Sequence, residues 1–155
     1  MDDTLGAWTI SNEDRKVPTY PEPLDIPRNL AMAILEAAWS KNGYETRLLD
    51  VAGQVSYTDM FVLLTGRSDR HVLAIADAIQ AALKEKGIVP LGVEGRQAGT
   101  WVLLDFGSVV VHVFEKTTRD YYDLEKLWAE AEPVAVVEPA WVQEFARVEK
   151  GYDGA

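Results

Sequence analysis

Four groups of residues in this chain have types and spacings that could support chemistry. Asp105-Phe106-Gly107 spells the tripeptide that holds magnesium in protein kinases. That role requires a glycine-rich loop, a strand lysine and an HRD-type loop upstream, and the sequence has none of these. Gly66-Arg67-Ser68 precedes a helical pattern and could offer free backbone N–H groups to a phosphate. A nucleotidyltransferase built there would need two carboxylates at strand spacing to hold magnesium. Asp77 and Glu85 fall on the helix instead, and Asp59 has no partner at strand spacing. The simpler role for the motif is a turn with Ser68 as helix cap. His71 and His112 lack an HExxH-like companion, and a Ser68–His112–Asp59 triad lacks a nucleophile elbow. No catalytic residue, metal ligand or cofactor is expected.

The elements that would position these residues follow from periodicity and punctuation. Asp25 as cap, Pro27 in the first turn and Gly43 as stop bracket a helix whose stripe is Leu30, Ile34, Ala37, Ala38 and Lys41. Alternation over 45–51 and an apolar run over 59–65 read as strands. Ser68 then caps a helix with Val72, Ile75, Ala76, Ile79 and Leu83 on one side, ended by Gly87. A third strand is expected over 88–93, a mobile loop over 94–100, and a hairpin of 101–105 and 108–114 about Phe106-Gly107. A short helix over 121–131 stops at Pro133, and another falls around 141–148. This order predicts an α/β fold, a single mixed β-sheet flanked by helices.

Charge divides the chain into three. Residues 1–25 carry a net −4, residues 26–118 a net −1 and residues 119–155 a net −5, within a total of −10. We read 1–24, with Pro18, Pro21 and Pro23, as an acidic arm, 25–131 as the domain and 132–155 as an acidic extension. No basic stripe exists to displace counterions from phosphates, so little direct nucleic-acid binding is expected. Acidic flanks suit either plain solubility or a basic partner. With no cysteine, no apolar run of spanning length and no secretory or transit signal, the expected address is the cytoplasm, away from membranes.

The hairpin concentrates the information. With Phe106-Gly107 at the tip, Asp105 faces Ser108 and Trp101 faces His112. One face then holds Val102, Leu104, Val109, Val111 and Val113, which is aliphatic core. The other holds Trp101, Leu103, Asp105, Ser108, Val110 and His112, an aromatic anchor among aliphatic and polar groups. These six are the candidate partner-binding residues, although a covering helix would make Trp101 ordinary core. A second aromatic cluster, Tyr121, Tyr122, Leu124 and Trp128, follows, with packing back on the sheet as its simplest role.

Three blocks, TDMFVLLTGRSDRHVLAIADAI, EGRQAGTWVLLDFGSVVVHVF and RDYYDLEKLW, together resemble the ribosome-silencing factor family, also called iojap-like. The resemblance runs from about Ile26 to Trp128. Its characteristic positions here are Asp59, Phe61, Thr65, Gly66, Ser68, Asp69 and Arg70, then Glu94, Gly95, Trp101, Leu103, Asp105, Phe106, Gly107, Val110, His112 and Phe114, then Arg119, Tyr122, Leu124 and Trp128. Thr58 stands where alanine is usual and Ser108 where an acid is frequent, which bears on any acidic contact at the hairpin tip.

The resemblance implies nucleotidyltransferase-like topology without transferase activity. It also implies binding to ribosomal protein fourteen of the large ribosomal subunit, a basic partner, so that the small subunit cannot join and translation is damped when nutrients are scarce. It favours the interface reading of the hairpin face. Two competing readings are a small nucleotidyltransferase-like enzyme using the Gly66/Ser68 turn, and a homodimer whose contact is the hairpin face.

Overall fold

Pro27 opens the first helix, because its fixed φ and missing N–H suit a first turn. Helix α1 runs Pro27–Trp39, with Ile26 at the cap position in place of the expected Asp25. It ends before Gly43: Asn42 takes the left-handed conformation at φ 61°, and the Gly43 N–H reaches the Ala38 carbonyl at 3.0 Å. Lys41 therefore lies in a turn and not on the helix. There follow strands β1 (Tyr44–Asp50) and β2 (Met60–Gly66), helix α2 (Asp69–Glu85), and strands β3 (Gly92–Glu94), β4 (Trp101–Asp105) and β5 (Val109–Glu115). Helices α3 (Lys116–Tyr122) and α4 (Leu124–Leu127), strand β6 (Glu132–Pro133) and helix α5 (Ala140–Gly154) complete the chain.

This computed structural model describes residues 22–154, so nearly all of the arm expected over 1–24 lies outside the described residues. The side chains of Leu124, Leu127 and residues 150–154 lie outside them too.

The six strands form one sheet in the order β3-β4-β5-β2-β1-β6. Only β2 and β5 pair in parallel, joined by the crossover that contains α2; every other neighbouring pair is antiparallel. The expected mixed α/β sheet is thus the observed one. The third strand is shorter than expected because Pro90, which cannot donate to a ladder, lies within the 88–93 stretch. The helix expected over 121–131 instead starts at Lys116 and ends at Leu127, and it is split in two because Asp123 adopts φ 50°, a conformation aspartate tolerates better than most residues.

One sheet face packs under α1, α2 and α5. Its core joins Leu30, Ile34 and Leu35 to Ile75, Ile79 and Leu83, and to Val62, Leu64, Val102, Leu104, Val111 and Val113 of the strands. The opposite face carries a smaller cluster of Leu49, Val51, Phe61, Leu63, Val110, Phe114 and Ala131, bordered by Trp101, Leu103 and Trp128.

The acidic stretch after residue 131 packs onto the domain. β6 pairs with β1, and the Val134 N–H reaches the Leu48 carbonyl at 2.8 Å. Glu138 accepts from the Thr46 N–H at 2.9 Å and the Thr46 hydroxyl at 2.6 Å. Val142 is fully buried and Phe145 meets Tyr44 edge-on at 5.6 Å. This segment covers the β1 edge, which would otherwise present unpaired backbone groups.

Candidate functional site

The turn between β4 and β5 sets the geometry of the hairpin face. Gly107 has φ +89°, a conformation that favours glycine, and its N–H donates to Asp105 Oδ1 at 2.8 Å. The Phe106 N–H reaches the Val109 carbonyl at 2.9 Å, so the tip is Gly107-Ser108 and not Phe106-Gly107. Trp101 pairs with Phe114, Leu103 with His112 and Asp105 with Val110. The register differs from the expected one by two residues. Side chains alternate with period two, so such a slip exchanges partners but leaves every strand residue on its expected face.

Two residues do change place. Phe106, expected at the tip, joins the helix-side core. Ser108, expected opposite Asp105, sits in the turn, where its carbonyl accepts from the N–H groups of both Asp59 and Met60 at 3.1 Å. It lines a separate depression with Tyr57, Thr58 and Asp59.

The remaining candidates form a graded surface. Trp101, Leu103 and Asp105 are half-buried, while Val110 and His112 lie beneath them at 4% and 7% exposure. Trp101 is diagonal to His112, and its Nε1 donates to His112 Nδ1 at 3.2 Å. His112 Nε2 is buried without a hydrogen-bond partner. Phe61 meets His112 at 4.9 Å and Phe114 stacks on it at 5.9 Å. Burial in this apolar surrounding pushes the imidazole down to about 4, so His112 is neutral near pH 7.

The helices after β5 cover the face only in part. Trp128 closes over Phe61 at 4.9 Å, sealing the β1–β2 half. The β4–β5 half stays open, with a shallow depression of about 270 Å³ lined by Glu94, Gly95, Trp101 and Leu103. The ring of Tyr122, 54% exposed, lies 5.4 Å from that of Trp101, and Tyr121 meets Tyr122 at 5.0 Å. The sequence marks this tyrosine pair as an aromatic cluster. Its attachment to the hairpin depends on a contact between residues 101 and 122 that no local period encodes.

The loop over 94–100 is tied down at several points. Arg96 pairs with Asp77 at 2.7 Å, and the Gly99 N–H reaches the Gly95 carbonyl at 2.9 Å. Gly95, at φ +87°, crosses so close to Trp101 that a Cβ there would lie 1.9 Å from the Trp101 carbonyl oxygen.

A polar cluster lies beside the face. Arg119 donates from Nη1 to the Glu45 carbonyl at 2.7 Å and to Thr65 Oγ1 at 2.9 Å, and from Nε to Glu125 at 2.9 Å. Glu45 sits at a bulge in β1 with φ 52° and accepts from Lys116 at 3.0 Å. Burial acts to raise its carboxyl, but hydrogen bonding to and the charge of Lys116, with Thr65 and Arg119, hold it below the usual carboxylate range.

The Gly66/Ser68 turn is occupied by the protein itself. Ser68 Oγ accepts from the His71 N–H at 3.1 Å, as its expected capping role requires. The Arg67 N–H donates to His71 Nδ1 at 2.9 Å, and the Arg70 N–H to Asp69 Oδ1 at 2.7 Å. Three N–H groups of this turn are thus engaged within the protein. Gly66 answers to packing, since a Cβ there would come within 2.9 Å of the Val72 backbone nitrogen. Among the described residues no group of three or more His, Asp or Glu converges to hold a metal ion.

The mixed sheet thus presents one open aromatic half-face, and the Gly66/Ser68 turn bonds to the protein's own side chains. The family model described as "Ribosomal silencing factor during starvation" matches residues 24–152, and the chain belongs to that family. The resemblance read from the three sequence blocks is therefore borne out. Ribosomal silencing factor RsfS of Chromobacterium violaceum is 39% identical over 106 residues, covering 68% of this chain and 87% of the relative. Mouse "mitochondrial assembly of ribosomal large subunit protein 1" is 35% identical over 91 residues, covering 57% of this chain and 40% of that protein. A crystal structure of a Chromobacterium violaceum protein superposes with a TM-score of 0.64 at 38% identity, covering 73% of this chain and 95% of that one.

Proposed function

We propose that this chain represses translation in the cytoplasm by binding the large ribosomal subunit at its ribosomal protein fourteen. There it blocks joining of the small subunit, without turnover, and damps translation in nutrient limitation. The family's description supports silencing during starvation, and the mouse relative's name supports the large subunit as the site of action. The observation that carries the reading is the open β4–β5 face, where Glu94, Gly95, Trp101 and Leu103 line one shallow depression and the Tyr122 ring packs 5.4 Å from that of Trp101. Large half-exposed aromatics over a dry base are the usual anchors of protein interfaces. Glu94 in its lining, on a chain of net charge −10, suits a basic ribosomal protein. Val110 and His112 act from beneath by holding the aromatic residues in place.

The test is subunit joining. Large subunits preincubated with the protein and then given small subunits should form fewer joined ribosomes, and the protein should sediment with the large subunit only. Undiminished joining at saturating protein would defeat the proposal. Saturable binding of nucleotide with magnesium would instead favour an enzyme.

A further inference from the structure

Helix α3 is held to the domain in an unusual way. Arg119 is the one residue of this seven-residue helix that is buried. Short helices dock through apolar contacts as a rule, since isolated they do not hold their shape. Here the attachment is a guanidinium whose side chain is 6% exposed. Its Nη1 grips the Glu45 carbonyl at the β1 bulge and the Thr65 hydroxyl at the end of β2. Its Nε and Nη2 both bond Glu125 of α4. It also lies 6.0 Å from the centre of the Phe114 ring.

That one side chain therefore joins β1, β2 and α4 to the helix that carries Tyr122. Tyr122 lies three residues after Arg119, on the neighbouring turn, and is more than half exposed. Its ring meets Trp101, which in turn meets Phe114 at 5.1 Å. The left-handed Asp123 then folds the chain back so that Glu125 returns to the guanidinium. Lysine could not replace this fork, because the bonds leave in several fixed directions at once.

We infer that Arg119, braced by Glu125, is a positioning residue that sets Tyr122 against Trp101 and so completes the docking face without touching the partner. This rests on the reading of the β4–β5 face as the docking surface. The partner class is the one that reading names, a basic protein of the large subunit. What is added is that its affinity depends on an ion pair outside the contact area, between the buried Arg119 and the partly exposed Glu125.

The test uses the full chain and isolated large subunits. Arg119→Ala alone would strand Glu125 and risk misfolding, so the pair is removed together as Arg119→Met with Glu125→Gln, which a well-packed apolar side chain can tolerate. Glu125→Ala, which keeps both interior bonds of Arg119 and cuts only the tie to α4, serves as a milder second variant. In the free protein, amide exchange over residues 116–127 should quicken while exchange in β2 and β5 stays slow. Affinity for large subunits should fall about tenfold, equivalent to ~1.4 kcal/mol. In a Tyr122→Ala background the same changes should cost less than about twofold, because coupled groups are not additive.

Unchanged exchange over 116–127 overturns the inference, as does a full additional loss in the Tyr122→Ala background. Absence of any wild-type binding removes the docking role as well, while the exchange measurement still decides whether Arg119 positions Tyr122.

Discussion

Trp101 Nε1 donates to His112 Nδ1 at 3.2 Å, with the indole half-buried and the imidazole beneath it at 7% exposure. The bond determines the state of both rings. An acceptor at Nδ1 places the proton of neutral His112 on Nε2, and protonation of Nδ1 would set two donors against each other. The imidazole therefore supports the aromatic face only while it is neutral.

Trp101→Ala should weaken binding to large subunits by ~2 kcal/mol or more, roughly thirtyfold. Because the indole caps the second cluster from its border, the loss of folding stability should stay below the ~3–5 kcal/mol typical of a core tryptophan. Denaturant unfolding and co-sedimentation on the same variant separate the two quantities. Normal binding by a variant that melts far below wild type would make Trp101 a core residue.

Stability should fall as the pH drops below about 6.5. His112 is depressed to about 4 in the folded protein by burial, and burial also lowers His71. An unfolded chain takes up these protons first, so the stabilisation is full above pH ~6.5 and is lost progressively as pH falls towards the folded value. Each pH unit in that window costs up to about 1.4 kcal/mol for the buried His112. Urea midpoints at pH 7 and pH 5 should differ in wild type and differ less in His112→Asn.

Gly95→Ala and Gly87→Ala form a matched pair. Both glycines have positive φ, but a Cβ at Gly87 meets nothing within 4 Å, whereas one at Gly95 would collide with the Trp101 backbone. Gly87→Ala should cost about 1–2 kcal/mol for the left-handed conformation alone. Gly95→Ala should cost more and should also weaken large-subunit binding, since the backbone it would strike is that of Trp101. Equal effects on stability and on binding would sever the link between this crossing and the face.

A chain trimmed to residues 25–131 should still bind large subunits, because the proposed docking face involves neither flank. It should also melt well below wild type, as it loses Val142, Phe145 and the Glu138 cover of Thr46. Val142→Ala alone should cost roughly 2 kcal/mol. Loss of binding by a trimmed chain that remains folded would place part of the anchor in an arm.

The two faces of the hairpin are legible in the order of the residues alone. Alternation of Val102 and Leu104 with Trp101, Leu103 and Asp105 fixes which residues travel together, and even a two-residue register error preserves it. The Ser68 cap, the mixed sheet and the family are legible too, since each rests on local pattern or on a run of particular residues.

Other features belong to tertiary structure alone. Gly107 with the Asp105 carboxylate chose the turn, and that choice put Phe106 in the core and Trp101 diagonal to His112. The sequence marks Arg119 as a characteristic family position but says nothing of what it touches. Arg119 is buried because residues 45, 65 and 125 converge on it, separations of 74, 54 and 6 positions. The segment after residue 131 looks like an acidic tail by composition, yet Glu138 reaches Thr46 across 92 positions and Val142 enters the core. Periodicity reports which side of an element is apolar; it carries no information about which distant element will meet that side.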